Sequence, residues 1–537
     1  MPGRKHLRRN TLRATGGGRP LLSFEDLYRA EEVLVLGEDL QGEAPFAQAQ
    51  LVRGQHQQKL HLTIAHPRRV KLARTKFGGD WLAVKPGSEL ALIDGLTRAA
   101  LDLGELQGLP SEVATGLAAL KQALAGATAA ATEQATGVPA AALSAAAKRL
   151  REAKRKAILF GRALAEHPQA PALLQAVENL AWVTGALTAE HSSVMYMGPH
   201  SDSQGALDMG LTPDCLPGYV PIADVKARAA FEQAWGAPLA MGAGLSAPEI
   251  LAAAAEGRIK ALWIVGDQWL KSAPDRALAE QALARAELVI VNELFLTETA
   301  QRAHVVFPAS AFAEKEGVVV NSERRLQKSV RALAWRKVVK PDWEIVQSVA
   351  QALGARWTYR SAEDVFREIA KLVPGYVGTS WATLLPLGAQ WSVSSPRVPA
   401  SVGGTSLAPA GKDQAPANGD GLWLLSGGTL FLQGSLSYRG ALLPKLAKHA
   451  RAYLHPDEAK RLGVADGAMI DLASSAGSVR LATEVDESVP AGSVFVPYAY
   501  DGVELNRLGM PPGAGLRVRA ARVPAGEAVG DAVGMKG

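Results

Sequence analysis

Four carboxylates, Glu293, Glu298, Glu314 and Glu316, fall within one short stretch, Val289 to Gln327, VIVNELFLTETAQRAHVVFPASAFAEKEGVVVNSERRLQ. Paired carboxylates can serve as acid and base when their surroundings drive their pKa values apart. Helix capping and surface ion pairs call for the same residue types. Asp267 follows Gly266 at the end of an apolar run, the position at which open α/β sheets bind ligands. A turn or helix cap would also place a carboxylate there. His191 and His200 flank Met195 and Met197, but a metal centre needs further ligands that this spacing does not supply. The 1 cysteine, Cys215, lies in the turn-rich run Pro213-Asp214-Cys215-Leu216-Pro217-Gly218 and reads as a plain buried thiol. One thiol excludes an internal disulfide and a cysteine-ligated iron–sulfur cluster, which takes about four. No GxGxxG follows a strand, and Gly242-Ala243-Gly244 stands outside that context, so a Rossmann dinucleotide fingerprint is lacking.

The elements that would position these residues follow from the apolar pattern. Val33-Leu34-Val35-Leu36 is a continuous apolar run ending in Gly37-Glu38-Asp39, as expected of a parallel strand buried on both faces. A helix is predicted from Pro45, since proline suits the first turn. Strands follow near Leu62-Thr63-Ile64-Ala65 and Trp81-Leu82-Ala83-Val84, and Pro86-Gly87-Ser88-Glu89 opens another helix. This alternation predicts α/β architecture with doubly wound parallel sheets. Ala114 to Lys148 is alanine-rich and reads as helices broken at Gly137-Val138-Pro139. Ala157 to Gly161 opens a second α/β region, with strands at Ala261 to Gly266 and Leu288 to Val291. Residues 388–420 are rich in Pro, Ala, Gly and Ser and read as a linker. Short β runs beyond it predict a barrel. The expected division is a basic tail over 1–20, an α/β region over 21–387, a linker over 388–420, a β-barrel over 421–523 and a tail over 524–537.

The 58 Lys and Arg against 52 Asp and Glu leave +6 over 537 residues, a bias too mild for a nucleic-acid protein. Much of it sits in the tail, where Arg4, Lys5, Arg8, Arg9, Arg13 and Arg19 precede any acid. Arg8 and Arg9 lead into glycines and not into an apolar core, so export is not expected. No run approaches the ~18 apolar residues of a transmembrane helix.

The Val289 to Gln327 stretch resembles the signature "FLTETA…ADVVLP…AEKEGTFTN.EGR.Q" of the molybdopterin oxidoreductase superfamily. The likeness runs in order along the chain: His66-Pro67-Arg68-Arg69, Lys85 to Glu89, Thr136 to Pro139, Ser203 to Gly210, Leu216 to Tyr219, Pro341 to Ile345, and His455 to Asn506. It implies a C-terminal double-psi β-barrel of the pterin-dinucleotide kind. It also marks Glu89, Asp267, Asn321 and Asn506 as candidate pterin-cleft residues. Departures occur where the family's acids are His66, Glu89 and His304, its Thr is Val318 and its Gly is Arg324. The family's cysteine motif and metal ligand lie upstream of the region matched. One branch combines these traits: the G subunits of NADH-quinone oxidoreductase (respiratory complex I), which the run AEEVLVLGEDLQGEAP, Ala30 to Pro45, is similar to. That resemblance implies a structural subunit with no catalytic residues and no cofactor of its own. Its partners would be other peripheral-arm subunits carrying iron–sulfur clusters and FMN, at the inner face of the cell membrane. Two alternatives stay open: a catalytic molybdopterin-dependent, formate dehydrogenase-like subunit completed by a separate iron–sulfur chain, and a stand-alone binding protein.

Overall fold

The computed structural model describes residues 22–74, 79–106, 108–334, 338–390, 407–410, 421–430, 432, 434–446, 450–498, 500, 503–509 and 516–524. The basic tail over 1–20, most of the expected linker (391–406 and 411–420) and residues 525–537 lie outside the described residues.

From Leu22 the chain builds five parallel strands: β1 (Glu32–Leu36), β2 (His61–Ala65), β3 (Asp80–Leu82), β4 (Lys156–Gly161) and β5 (Ser193–Met197), in the order β3-β2-β1-β4-β5. Every residue of β1 and β4 is buried, as a parallel sheet covered on both faces requires. Helices between the strands are α1 (Leu40–Glu43), α2 (Pro45–Gln58), α3 (Glu89–Leu101), α4 (Ala140–Glu152), α5 (Arg162–Ala165) and α6 (Ala170–Thr184). Leu27, Val33, Val35, Leu51, Leu62, Ile64 and Leu159 form the core on one face. On the other, α3 packs against α4 and α6. The alanine-rich stretch is helical as expected, and Gly137 interrupts it at φ 77°.

From His200 a second unit begins with α7 (Ser203–Asp208) and a hairpin of β6 (Cys215–Leu216) and β7 (Val220–Pro221). Next come β8 (Ala261–Val265), β9 (Leu288–Glu293) and β10 (Val305–Pro308), a parallel sheet in the order β10-β9-β8. Its inward Leu262, Ile264, Val289 and Val291 pack on α8 (Ala247–Ala255) and on α9 (Trp269–Ser272) with α10 (Arg276–Arg285). An antiparallel sheet of β11 (Gly317–Val320), β12 (Arg325–Ser329) and β13 (Ala389–Gln390) and the helix α11 (Asp342–Ala352) complete the unit.

The C-terminal segment rejoins the first unit. Leu407 is buried, and Ala408 exchanges hydrogen bonds with the Asn179 side chain of α6. Six strands then close a barrel: β14 (Leu422–Leu425), β15 (Ala452–Leu454), β16 (Met469–Ala473), β17 (Ser478–Val485), β18 (Ser493–Phe495) and β19 (Leu516–Arg522), ordered β14-β18-β15-β17-β16-β19. Leu424, Leu454, Ile470, Leu472, Val494 and Val518 fill it. The α/β architecture with a C-terminal barrel is as the sequence predicts. Residues 21–387 hold two separate parallel sheets, and the barrel groups with the first.

Candidate functional site

The carboxyl edge of the second sheet gathers polar groups from three strand ends. After β8, Gly266 turns at φ 61° with nothing within 4 Å of where a side chain would project, and the half-buried Asp267 follows it. At the end of β9, buried Asn292 accepts from Trp263 Nε1 (3.0 Å), and Glu293 receives the N–H of Leu294 (2.7 Å). Past β10, Ser310 is 1% exposed, and its hydroxyl has no hydrogen-bond partner among the described residues. Two carboxylate acceptors, a spare hydroxyl and an open backbone turn suit the polar edge of a nucleotide.

The remaining acids of that stretch do not join this edge. Glu298 pairs with Arg276 at 2.5 Å, Glu314 accepts the N–H of Ala311 at 2.9 Å, and Glu316 is exposed. These are ion-pair and capping roles. Asn321 accepts the backbone N–H groups of Glu323 (3.2 Å) and Arg325 (3.0 Å), which shapes the turn between β11 and β12. His191 lies in the first unit, 2.9 Å from Asp26, and His200 in the second, while Met195 and Met197 are core residues. Among the described residues no group of three or more His, Cys, Asp or Glu could hold a metal ion. Cys215 is buried in β6.

Sequence reasoning missed a buried network in the second unit. Asp208 at the end of α7 accepts from Tyr219 (2.5 Å), Gln204 (2.7 Å) and Tyr376 (3.0 Å). Arg324, 2% exposed and in the left-handed region at φ 56°, turns inward, its guanidinium 6.0 Å from the Tyr219 ring centroid. Burial raises the Asp208 pKa, opposed by Arg324 and the three donors. Burial and Asp208 hold both tyrosines well above their usual range, so they remain donors. Asp202 accepts the Val320 N–H (2.7 Å) and is pushed up to about 6, chiefly by burial. The motifs around Asp208 and Tyr219 were visible; that they meet was not.

In the first unit the strand ends are crowded. Glu38, after β1, is 3% exposed and accepts the backbone N–H of Ala163 in α5 (2.9 Å). Glu43 accepts from Tyr498 (2.5 Å) and the N–H of Gly428 (2.9 Å). Burial works against the Arg162 charge, yet Glu166, Tyr498 and Glu43 hold its pKa above the usual value. After β2, Arg68 is bound by Asp39 (2.7 Å) and lies 3.9 Å from the Phe495 ring centroid. Burial, then Arg68, pushes His66 down to about 4, so it is neutral where the family pattern carries an acid. Glu89 begins α3 and accepts the N–H of Gly87 (3.2 Å), and Asn506 is buried in the short helix Leu505–Leu508.

The family model "molybdopterin oxidoreductase" matches residues 11–352, and "molydopterin dinucleotide binding domain" matches residues 422–515. The NADPH-Fe(3+) oxidoreductase subunit alpha of Geobacter sulfurreducens is 32% identical over 491 residues, covering 90% of this chain and 55% of that protein. This chain therefore spans about half the length of the first such relatives. A formate dehydrogenase subunit alpha of Methanococcus maripaludis is 29% identical over 518 residues, covering 92% of this chain and 75% of that one. Acetylene hydratase from Pelobacter acetylenicus shares the fold, with a TM-score of 0.73 at 18% identity over 97% of this chain and 81% of that one.

These matches overturn the expectation of a chain with no cofactor of its own: one family is that of molybdopterin enzymes, and the other model is that of the domain binding the cofactor's dinucleotide. Arg324, which stands where the family pattern has glycine, is buried in the second unit, where its charge acts on Asp208. Val318 is a half-buried strand residue of β11. With a match over residues 11–352 that resumes over 422–515, this chain belongs to the molybdopterin oxidoreductase family.

Proposed function

We propose that this chain is the pterin-dinucleotide-holding part of a catalytic molybdopterin-dependent oxidoreductase of the formate dehydrogenase kind, with the iron–sulfur thiolates supplied from outside these 537 residues. The observation that carries the reading is the open carboxyl edge of the second sheet, in a chain whose relatives include formate dehydrogenase and NADPH-Fe(3+) oxidoreductase alpha subunits. When bound, the group supplies two-electron redox chemistry at its metal. The chain's own residues anchor and orient. Asp267 and Glu293 accept from base or ribose donors, and Ser310 gives its spare hydroxyl. The Asp208, Tyr219, Tyr376 and Arg324 network stiffens the unit behind them. With 1 cysteine in this sequence, any iron–sulfur cluster serving the site would take its thiolates from outside it. The subunit names of the relatives favour a multi-chain assembly. No helix among the described residues is long and apolar enough to cross a membrane.

A second reading, a subunit of the peripheral arm of NADH-quinone oxidoreductase at the inner membrane face, is favoured by the Ala30 to Pro45 run. One experiment separates the two. In native extracts of a strain deleted for this gene, formate-dependent reduction of benzyl viologen should disappear while NADH-quinone reductase activity persists. The reverse outcome would reject the first reading in favour of the second.

A further inference from the structure

Between α11 and the helix Ala362–Leu372 the chain runs as Arg356-Trp357-Thr358-Tyr359-Arg360, a segment in neither helix nor sheet. It follows a turn at Gly354, in the left-handed region at φ 96°, and passes back along α11. Gln351 donates to the Trp357 carbonyl at 2.5 Å. One helical turn earlier, Gln347 donates to the Tyr359 carbonyl (3.0 Å) and accepts the Tyr359 N–H (2.7 Å). The match is one of spacing, since four residues of helix rise ~6 Å and two residues of extended chain ~6.7 Å. The side chains of Trp357 and Tyr359 are held as well, by the Trp235 carbonyl (3.4 Å) and the Glu368 carboxylate (2.6 Å). Alternate residues of an extended chain turn their backbone groups to opposite edges, so the edge toward α11 is filled. On the other edge, the N–H and C=O groups of Arg356 and Thr358 have no hydrogen-bond partner among the described residues. A cavity of about 520 Å3 lies there, lined by this segment with Asp364, Arg367 and Glu368.

Charge narrows what this cavity receives. Arg356 and Arg360 are exposed, and neither guanidinium has a carboxylate partner among the described residues. The acids that line the cavity are already engaged. Asp364 accepts the Arg360 N–H (2.9 Å) and Arg367 (2.8 Å), and Glu368 accepts from Tyr359 and from Trp235 Nε1 (3.1 Å). A bare anion would satisfy the arginines and the N–H groups but would also face two carbonyls. A peptide backbone satisfies donors and acceptors alike. A second copy of this edge would set arginine against arginine, and the basic tail would bring the same repulsion. An extended segment with carboxylates at alternate positions meets every group on the edge.

We propose that the edge from Arg356 to Arg360 receives an extended acidic segment of a partner chain, which pairs as an antiparallel strand with Arg356 and Thr358 and sets carboxylates opposite Arg356 and Arg360. Residues opposite each other in such a pair share a face and exchange backbone hydrogen bonds, so the acidic residues of the partner turn their N–H groups toward this chain and the residues between turn theirs away. The probe is a fluorescein-labelled peptide of repeated Glu-Val, titrated with the full-length chain and read by anisotropy. Saturable binding is expected, weakened at least tenfold in the double variant Arg356→Gln, Arg360→Gln. Both side chains are exposed, and an unchanged melting temperature will show that the variant folds. Methylating the glutamate nitrogens of the peptide should weaken binding at least tenfold, whereas methylating the valine nitrogens should leave it within twofold. Binding by the double variant as tight as by the parent would overturn the proposal, and so would equal binding of the two methylated peptides, which would show attraction of charge without strand pairing. No binding at millimolar peptide would overturn it too. Displacement by inorganic phosphate beyond that by chloride at equal ionic strength would assign the cavity to a small anion and refute the proposal.

Discussion

Arg324 shows why a residue's bulk predicts less than its direction. A long cation at a position where the family has glycine suggests obstruction, and the sequence holds no sign that the chain folds back into the protein. The structure adds the partner: a buried aspartate with three donors and one nearby guanidinium. Removing one member of such a set leaves a buried charge, at a cost of about 3–5 kcal/mol. Arg324→Ala should therefore destabilise the protein by about that amount. Asp208→Asn in the same background should recover ~1 kcal/mol or more, measured as a double-mutant cycle by urea unfolding. Strict additivity would show that the two do not interact. Glu38 supplies a second test. Burial first, then Glu43, holds its carboxyl well above the usual 4.5. The folded state thus keeps a proton that the unfolded chain releases. That contribution to stability is complete below the unfolded value and is lost as pH rises through the folded one. Glu38→Gln should gain in melting temperature relative to the parent between pH 5 and pH 8, by roughly 2 °C if about 1 kcal/mol is recovered. Asp202 and Asp208 are also raised, so the variant's profile should flatten without becoming level. An unchanged slope would mean that Glu38 does not titrate differently on folding.

Elements were more legible than the contacts between them. The apolar run before Gly37 announces a parallel strand buried on both faces, and β1 is fully buried. The alanine-rich helices and the short strands of the barrel are likewise readable from composition and turn residues. Asp267, read from the sequence as the first polar residue past a strand, does follow the strand Ala261–Val265. The division into units was not legible, because it depends on α1 meeting the loop after β14 across almost 400 residues of sequence, a contact without local signature: Glu43 to Gly428, |i−j| of 385. Gly42 is the place to test that contact. Gly42→Ala should cost ~2 kcal/mol, as overpacking against a backbone that cannot yield typically does, and should make the barrel more susceptible to protease than the α/β part of the same unit. Equal protection of both would show that the Gly42–Gly428 approach is not what seats the barrel.

For the molecule as a whole, a family fold points to a molybdopterin cofactor, while the 1 cysteine of these 537 residues is too few to ligate an iron–sulfur cluster. What misled the sequence reading was the weight given to altered residues: His66 is neutral and packed at its strand end, Val318 is an ordinary strand residue, and Arg324 points inward. None of the three removes the open edge at Gly266, Asp267 and Ser310. The most direct measurement is elemental and pterin analysis of the protein purified with its partners from its native source. Molybdenum or tungsten together with a pterin dinucleotide, in whole-number proportion to this chain, is the predicted result. Protein that is folded and assembled yet carries neither metal nor pterin would contradict it.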